Sequence, residues 1–168
     1  LQDILDTSEP PAVSVRETFD FWVEPEAAGE NEQARQVIEE AIERAKDEIA
    51  PTRPVPGVEH AYWCRLGSKE FVRWVRGEDE DEFFNAFARI YAARESDLEE
   101  GARFVGAFRA NGVAIPVWEL VPGTEAEELT KPLQAMGKRL DAALADESPL
   151  TPEVRRAKAG IISRQVNL

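Results

Sequence analysis

Two short reversals constrain this chain more than any other feature. Gly67-Ser68 separates the run from Val58 to Leu66 from the run Lys69 to Arg76, and Asn111-Gly112 separates Arg103 to Ala110 from Val113 to Val121. All four runs are rich in aromatic and β-branched residues. Asn-Gly tolerates positive φ at both positions, so each pair predicts a two-residue hairpin turn. Such a turn forces its two strands to lie antiparallel. The register it sets places Arg65 opposite Glu70 and Glu59 opposite Arg76, cross-strand charge pairs worth about 0.2–1 kcal/mol each.

Helical signals fill the intervals. From Asn31 to Ala50, the residues Ala34, Val37, Ile38, Ala41, Ile42, Ala45 and Ile49 recur at i, i+3, i+4 spacing, which predicts one apolar stripe on a helix. Pro51, Pro54 and Pro56 then read as a stiff linker. A second helix is expected from Asp79 to Arg94, its acidic start matching the helix dipole. A third is expected from Thr124 to Ala145, with Pro132 in its first turn or at a kink. A short fourth begins at Thr151-Pro152-Glu153, a cap followed by a first-position proline, and runs to about Arg164. Upstream, Val13 to Val23 (VSVRETFDFWV) reads as a strand. The expected fold is α+β: an antiparallel sheet of four or five strands, two hairpins plus an N-terminal strand, with three to four helices mainly on one face. The chain reads as one domain over 1–168 and, because it opens on Leu1, as the C-terminal part of a longer protein.

A sheet covered on one side should alternate apolar with polar residues. These hairpins do not. In the first, Ala61, Trp63, Val72 and Trp74 share one face, and His60, Tyr62, Cys64, Phe71 and Val75 the other. In the second, Phe104, Phe108, Val113, Ile115 and Val117 are read as the face under the helices, with Val105, Pro116, Trp118 and Leu120 opposite. Both faces therefore need cover. Candidates are the Val13–Val23 segment, the C-terminal helix, a second copy of the chain, or sequence absent from it. Trp63, Trp74 and Trp118, with Arg109, are the expected interaction surface.

The net charge of −13 disfavours nucleic acid and anionic membranes as partners. No run is long and apolar enough to span a bilayer. One cysteine, Cys64, allows no intrachain disulfide, which fits a reducing, cytoplasmic location. His60 stands four residues before Cys64, roughly 13 Å away along a strand, too far to act as its base. His60 is the only histidine, and the acidic run Glu78 to Glu82 lacks a calcium-loop pattern, so no metal site is expected. Nucleotide, cofactor and hydrolase motifs are absent, and the chain reads as non-enzymatic with no cofactor. From Leu150 onward, Arg155, Arg156, Lys158 and Arg164 face a single acid, Glu153. This tail is expected either to carry ordinary solvated charges or to dock on an acidic surface, the chain's own or a partner's.

The stretches FDFWV (Phe19 to Val23), AYWCRLGSKEFVRWV (Ala61 to Val75), RFVGAFRANGVAIPVWEL (Arg103 to Leu120) and PLTPEVRRAKAGIISRQV (Pro149 to Val166) resemble an uncharacterised bacterial protein family. The likeness spans nearly the whole chain and is to the C-terminal half of longer members, which implies a preceding portion able to cover the second sheet face. No activity comes with it. The order of elements is also similar, in shape alone, to type III secretion chaperone-like domains. Two functions follow as expectations. One is a non-enzymatic interaction or scaffold domain holding a protein partner or a second copy of itself. The other is a small-ligand or enzyme fragment whose site, shared with missing N-terminal sequence, draws on Arg65, Arg109 or His60.

Overall fold

A computed structural model describes residues 32–110 and 112–163. The chain divides into two compact units, Leu1–Ala50 and Pro51–Leu168. In the first, the described element is α1 (Glu32–Glu48). Ala34, Ile38 and Ile42 are half-buried along it while Val37 is 66% exposed, so the shielded stripe is narrower than its apolar pattern. The Val13–Val23 strand lies outside the described residues.

The second unit carries a five-stranded antiparallel sheet in the order β1-β2-β3-β5-β4, built from β1 (Thr52–Pro54), β2 (Ala61–Leu66), β3 (Lys69–Trp74), β4 (Arg103–Ala110) and β5 (Val113–Glu119). The first hairpin closes as expected: Leu66 pairs with Lys69 across Gly67-Ser68, and Arg65 with Glu70. Gly67 has φ +59, a conformation glycine adopts without a Cβ penalty. In the second hairpin Ala110 pairs with Val113, again leaving a two-residue connection. Glu59 and Arg76 do not pair. His60 takes φ 59 and leaves the strand direction, and Arg76 bridges instead to Ala114 on β5.

The proline-rich stretch expected as a linker supplies the fifth strand. β1 pairs Thr52 with Cys64 and Pro54 with Tyr62, and Arg65 N–H donates to Pro51 O at 3.0 Å. Proline is tolerated here because β1 is an edge strand, where one missing donor costs no ladder bond.

Of three further helices, α2 (Glu80–Ala92) and α4 (Pro152–Ser163) follow the expected boundaries, while α3 (Thr130–Leu144) starts six residues after the expected Thr124. Asp79 caps α2, its Oδ1 accepting from Asp81 N at 2.9 Å and Glu82 N at 3.2 Å. Thr151 Oγ1 accepts from Val154 N at 3.2 Å at the start of α4. A 3-10 turn, Ala126–Leu129, precedes α3 and places Pro132 in the α3 first turn, where its missing N–H is harmless. Phe83, Phe84 and Phe87 of α2, Leu133, Met136 and Leu140 of α3, and Val154 and Ile161 of α4 are buried in one core against the sheet. No described helix is long and apolar enough to cross a membrane.

Candidate functional site

The face beneath the helices is set by the strand register. On β2 and β3 it carries Ala61, Trp63, Val72 and Trp74, which share a face as the alternation predicts, although Trp63 and Trp74 are expected on the interaction surface and not on the helix side. On β4 and β5 Phe104 and Val105 lie where expected, but Phe108, Val117, Trp118 and Leu120 are on the reverse faces. Ala114, Trp118 and Leu120 lie in the helix-covered core, while Val117 belongs to a separate cluster with Cys64 and Phe71, flanked by Val105 and Phe108. The register irregularity between Phe104 and Gly106 is the cause. It puts Phe104 opposite Trp118 and Phe108 opposite Ile115, so the two phenylalanines point to opposite faces although they are four residues apart. An extra residue in one strand flips everything beyond it.

The expected interaction surface therefore falls in the interior. Trp63 is 1% exposed, Trp74 7% and Trp118 0%. Each indole N–H is used. Trp63 donates to Thr124 O at 2.7 Å, Trp74 to Glu59 O at 3.1 Å and Trp118 to Ser96 O at 2.7 Å. Buried tryptophan with a satisfied N–H is core material that also staples loops to the sheet. Phe87, Phe104 and Trp118 form a cluster of ring contacts with centroids 4.6–6.0 Å apart. Arg109 remains partly exposed at the rim of the same face, paired with Glu80 and 5.9 Å from the Phe84 ring centre.

Arg65, Arg109 and His60 are not brought together. Arg65 lies in a network around Trp63: it donates to buried Glu70 at 3.0 Å and lies 3.6 Å from Glu125, which Arg53 also meets at 3.1 Å. The network ties the 3-10 turn to the β1–β2 edge. Arg109 is held at the start of α2. His60, exposed, lines a cleft of about 400 Å³ over Trp74, between the β1–β2 loop and α3. A wider cleft of about 630 Å³ lies between the end of α2 and α4, with Arg94 and Arg156 among its walls and Asp97 and Glu153 opposing them in charge. Among the described residues, no three His, Cys, Asp or Glu side chains are grouped to hold a metal ion.

The basic tail divides. Lys158 on α4 reaches back to α2, 2.5 Å from Asp81 and 2.7 Å from Asn85 Oδ1, and its hydrogen bond and charge hold the Asp81 carboxyl below its ordinary value. That residue docks on the chain's own acidic surface.

The face turned away from α2, α3 and α4 has a different character. Cys64, Phe71 and Val117 are buried at its centre, and Tyr62, Leu66, Val75, Val105, Phe108, Val113 and Ile115 are half-buried around them. Within it stands Arg73. Its backbone register places it between Tyr62 and Val117 on the neighbouring strands, and Phe71 and Val75 flank it along β3. The guanidinium lies 6.0 Å from the Phe108 ring centre. Its Nε is buried and meets no hydrogen-bond acceptor, and no described carboxylate pairs with it. Burial pushes the Cys64 thiol above its ordinary value, and the Arg73 charge partly offsets that. The charge pairs of this face, Glu119 with Lys69 and Arg103 at 2.8 Å each, stand at one end. Arg73 is not among the residues expected at a site; the signal that could have found it is its position midway between Phe71 and Val75, a cation in an apolar row.

Fold and faces together define an α+β domain whose sheet has one side closed by helices and the other apolar around Arg73, whose Nε is buried. A family model of unknown function, DUF5926, matches residues 1–168, and the chain belongs to that family. No curated protein and no solved structure matches it.

Proposed function

We propose that this chain is a protein-interaction domain that receives a partner protein on the sheet face opposite α2, α3 and α4. The observation that carries this reading is the half-buried apolar surface around Arg73, from Tyr62 and Leu66 on β2 to Phe108 and Ile115 on the second hairpin. Apolar surface at a sheet face is stable when covered, and contiguous patches of this kind mark association sites. The fully buried tryptophans serve the reading indirectly, by making the helix side rigid enough to present the other side as a fixed template.

The test is site-specific photo-crosslinking in cells that express the chain. A photoreactive residue at Ile115 is expected to trap a discrete protein adduct, and one at exposed Gln134 on α3 is not. Equal adducts from both positions, or none from Ile115, would refute the proposal.

A further inference from the structure

Resting on that reading, we infer that the partner presents an extended segment with one carboxylate flanked by apolar side chains two positions to either side, and that Arg73 is the group that selects it. The argument is charge complementarity on a patterned surface. Along β3 the sequence Phe71, Arg73, Val75 repeats every second residue, so neighbouring side chains on this face stand about 6.6 Å apart. Across the strands, Tyr62 and Val117 are its partners. Arg73 is thus surrounded on four sides by apolar groups, with the Phe108 ring above it.

Arg73 is half-buried and its Nε is buried without an acceptor; a buried donor left unmet is costly, and an anion that reaches it would remove that cost. Eight other basic side chains in this unit, Arg53, Arg65, Lys69, Arg76, Arg89, Arg103, Arg109 and Lys158, are ion-paired, and Arg139 and Arg155 donate to backbone carbonyls. The chain has 33 acidic residues, yet among the described residues none is placed at Arg73. The unmet demand is for a planar oxyanion that a guanidinium fork can grip, delivered between apolar groups that fit the spaces beside Phe71 and Val75. A carboxylate on an extended peptide meets both conditions, because its alternate side chains share the strand spacing of the surface. A nucleic acid would bring its phosphate with a row of further charges, which the apolar surround and the acidic body both oppose.

The experiment uses the full chain and a labelled, terminally capped peptide in which Val, Val, Glu, Phe and Val alternate with Ser and Thr, read by fluorescence anisotropy. The expected result is binding of the Glu peptide at least about tenfold tighter than the same peptide with Gln, the scale of one charge-assisted hydrogen bond. That ratio is expected to collapse to about one in Arg73→Gln, with Arg73→Lys intermediate. Thermal melts confirm that the variants fold. Equal affinity of the Glu and Gln peptides for wild type would overturn the role of Arg73 while leaving the docking face standing. Binding of neither peptide, with crosslinks still formed at Ile115, would overturn the partner chemistry. Concentration-dependent self-association lost in Arg73→Gln, measured by sedimentation, would overturn it in favour of a second copy of the chain. Absence of both crosslinks and peptide binding would remove the proposed function itself.

Discussion

Trp118 offers the sharpest test of how the two sheet faces are divided. It is 0% exposed, its ring contacts Phe87 and Phe104, and its indole N–H donates to Ser96 O at 2.7 Å. Trp118→Ala removes a large buried ring and leaves a cavity, which costs about 3–5 kcal/mol in well-packed cores. The orphaned Ser96 carbonyl adds to the same loss, about 1–3 kcal/mol if it stays dry. Against a total stability of about 5–15 kcal/mol, the variant should lose a third or more of it. That corresponds to a fall in Tm of roughly 10–20 °C for a unit of this size. Trp118→Phe keeps a ring against Phe87 and Phe104 but not the donor, and should fall between, near 1–3 kcal/mol. Urea unfolding followed by far-ultraviolet circular dichroism measures both. If Trp118→Ala unfolds within about 1 kcal/mol of wild type with an unchanged m value, Trp118 is a surface residue after all and the face assignment is refuted.

Three further outcomes follow from particular contacts. Gly101 has φ +85, and a Cβ there would lie 2.7 Å from Val121 Cγ2; Gly101→Ala is expected to cost about 1–3 kcal/mol, and pairing it with Val121→Ala should return only the steric part, as a double-mutant unfolding cycle will show. The Glu119 carboxyl is held below its ordinary value by hydrogen bonds from Lys69 and then Arg103, and Asp81 by Lys158. A folded value below the unfolded one means stability that is present above the carboxylate range and lost as pH falls through the lowered values. Both groups are near solvent, so Glu119→Gln with Asp81→Asn should cost less than about 1 kcal/mol at neutral pH and should flatten the acid limb of a stability–pH curve; an unchanged acid limb would count against these pairs. Cys64 is 1% exposed with its thiol raised by burial and only partly offset by Arg73, so disulfide-exchange reagents should label it in urea but only slowly in buffer, and rapid native labelling would contradict its burial.

Much of this fold is legible in the sequence because local signals and the global arrangement agree. Gly67-Ser68 fixes one register through Arg65 and Glu70, and Thr151-Pro152 marks a helix start to the residue. Failures came where the deciding interaction is not local. Nothing near Thr52 announces a strand: its pairing with Cys64 is bought by an edge position, and prolines mask it. His60 at φ 59 ends the first hairpin before Glu59 can meet Arg76. The bulge between Phe104 and Gly106 leaves Phe104 under the helices and carries Phe108 to the opposite face, because a period-two reading takes every side chain past an added residue to the wrong side. Both faces of the second hairpin are apolar, so the pattern supplied no polar residue to expose the slip.

That ambiguity has a physical origin tied to the candidate site. A sheet with one wet face carries its register in the alternation itself, since a one-residue slip would bury charge and expose core. This sheet gives up that safeguard, with Val117 buried on one side and Trp118 on the other. Its register must be held by other devices: tight turns, the Glu70–Arg65 pair, and indole N–H groups that reach only particular carbonyls. Arg73 belongs among them. Slipping β3 by one residue would turn Trp74 out and drive the Arg73 guanidinium under the helices, against Trp63 and Trp118 of the neighbouring strands, where desolvation has nothing to offset it. The same cation that asks for a partner on one face thereby forbids the wrong pairing on the other, so Arg73→Leu should bind carboxylate peptides poorly and yet tolerate a misregistered, more heterogeneous folded state, detectable as broadened amide resonances in β2 and β3.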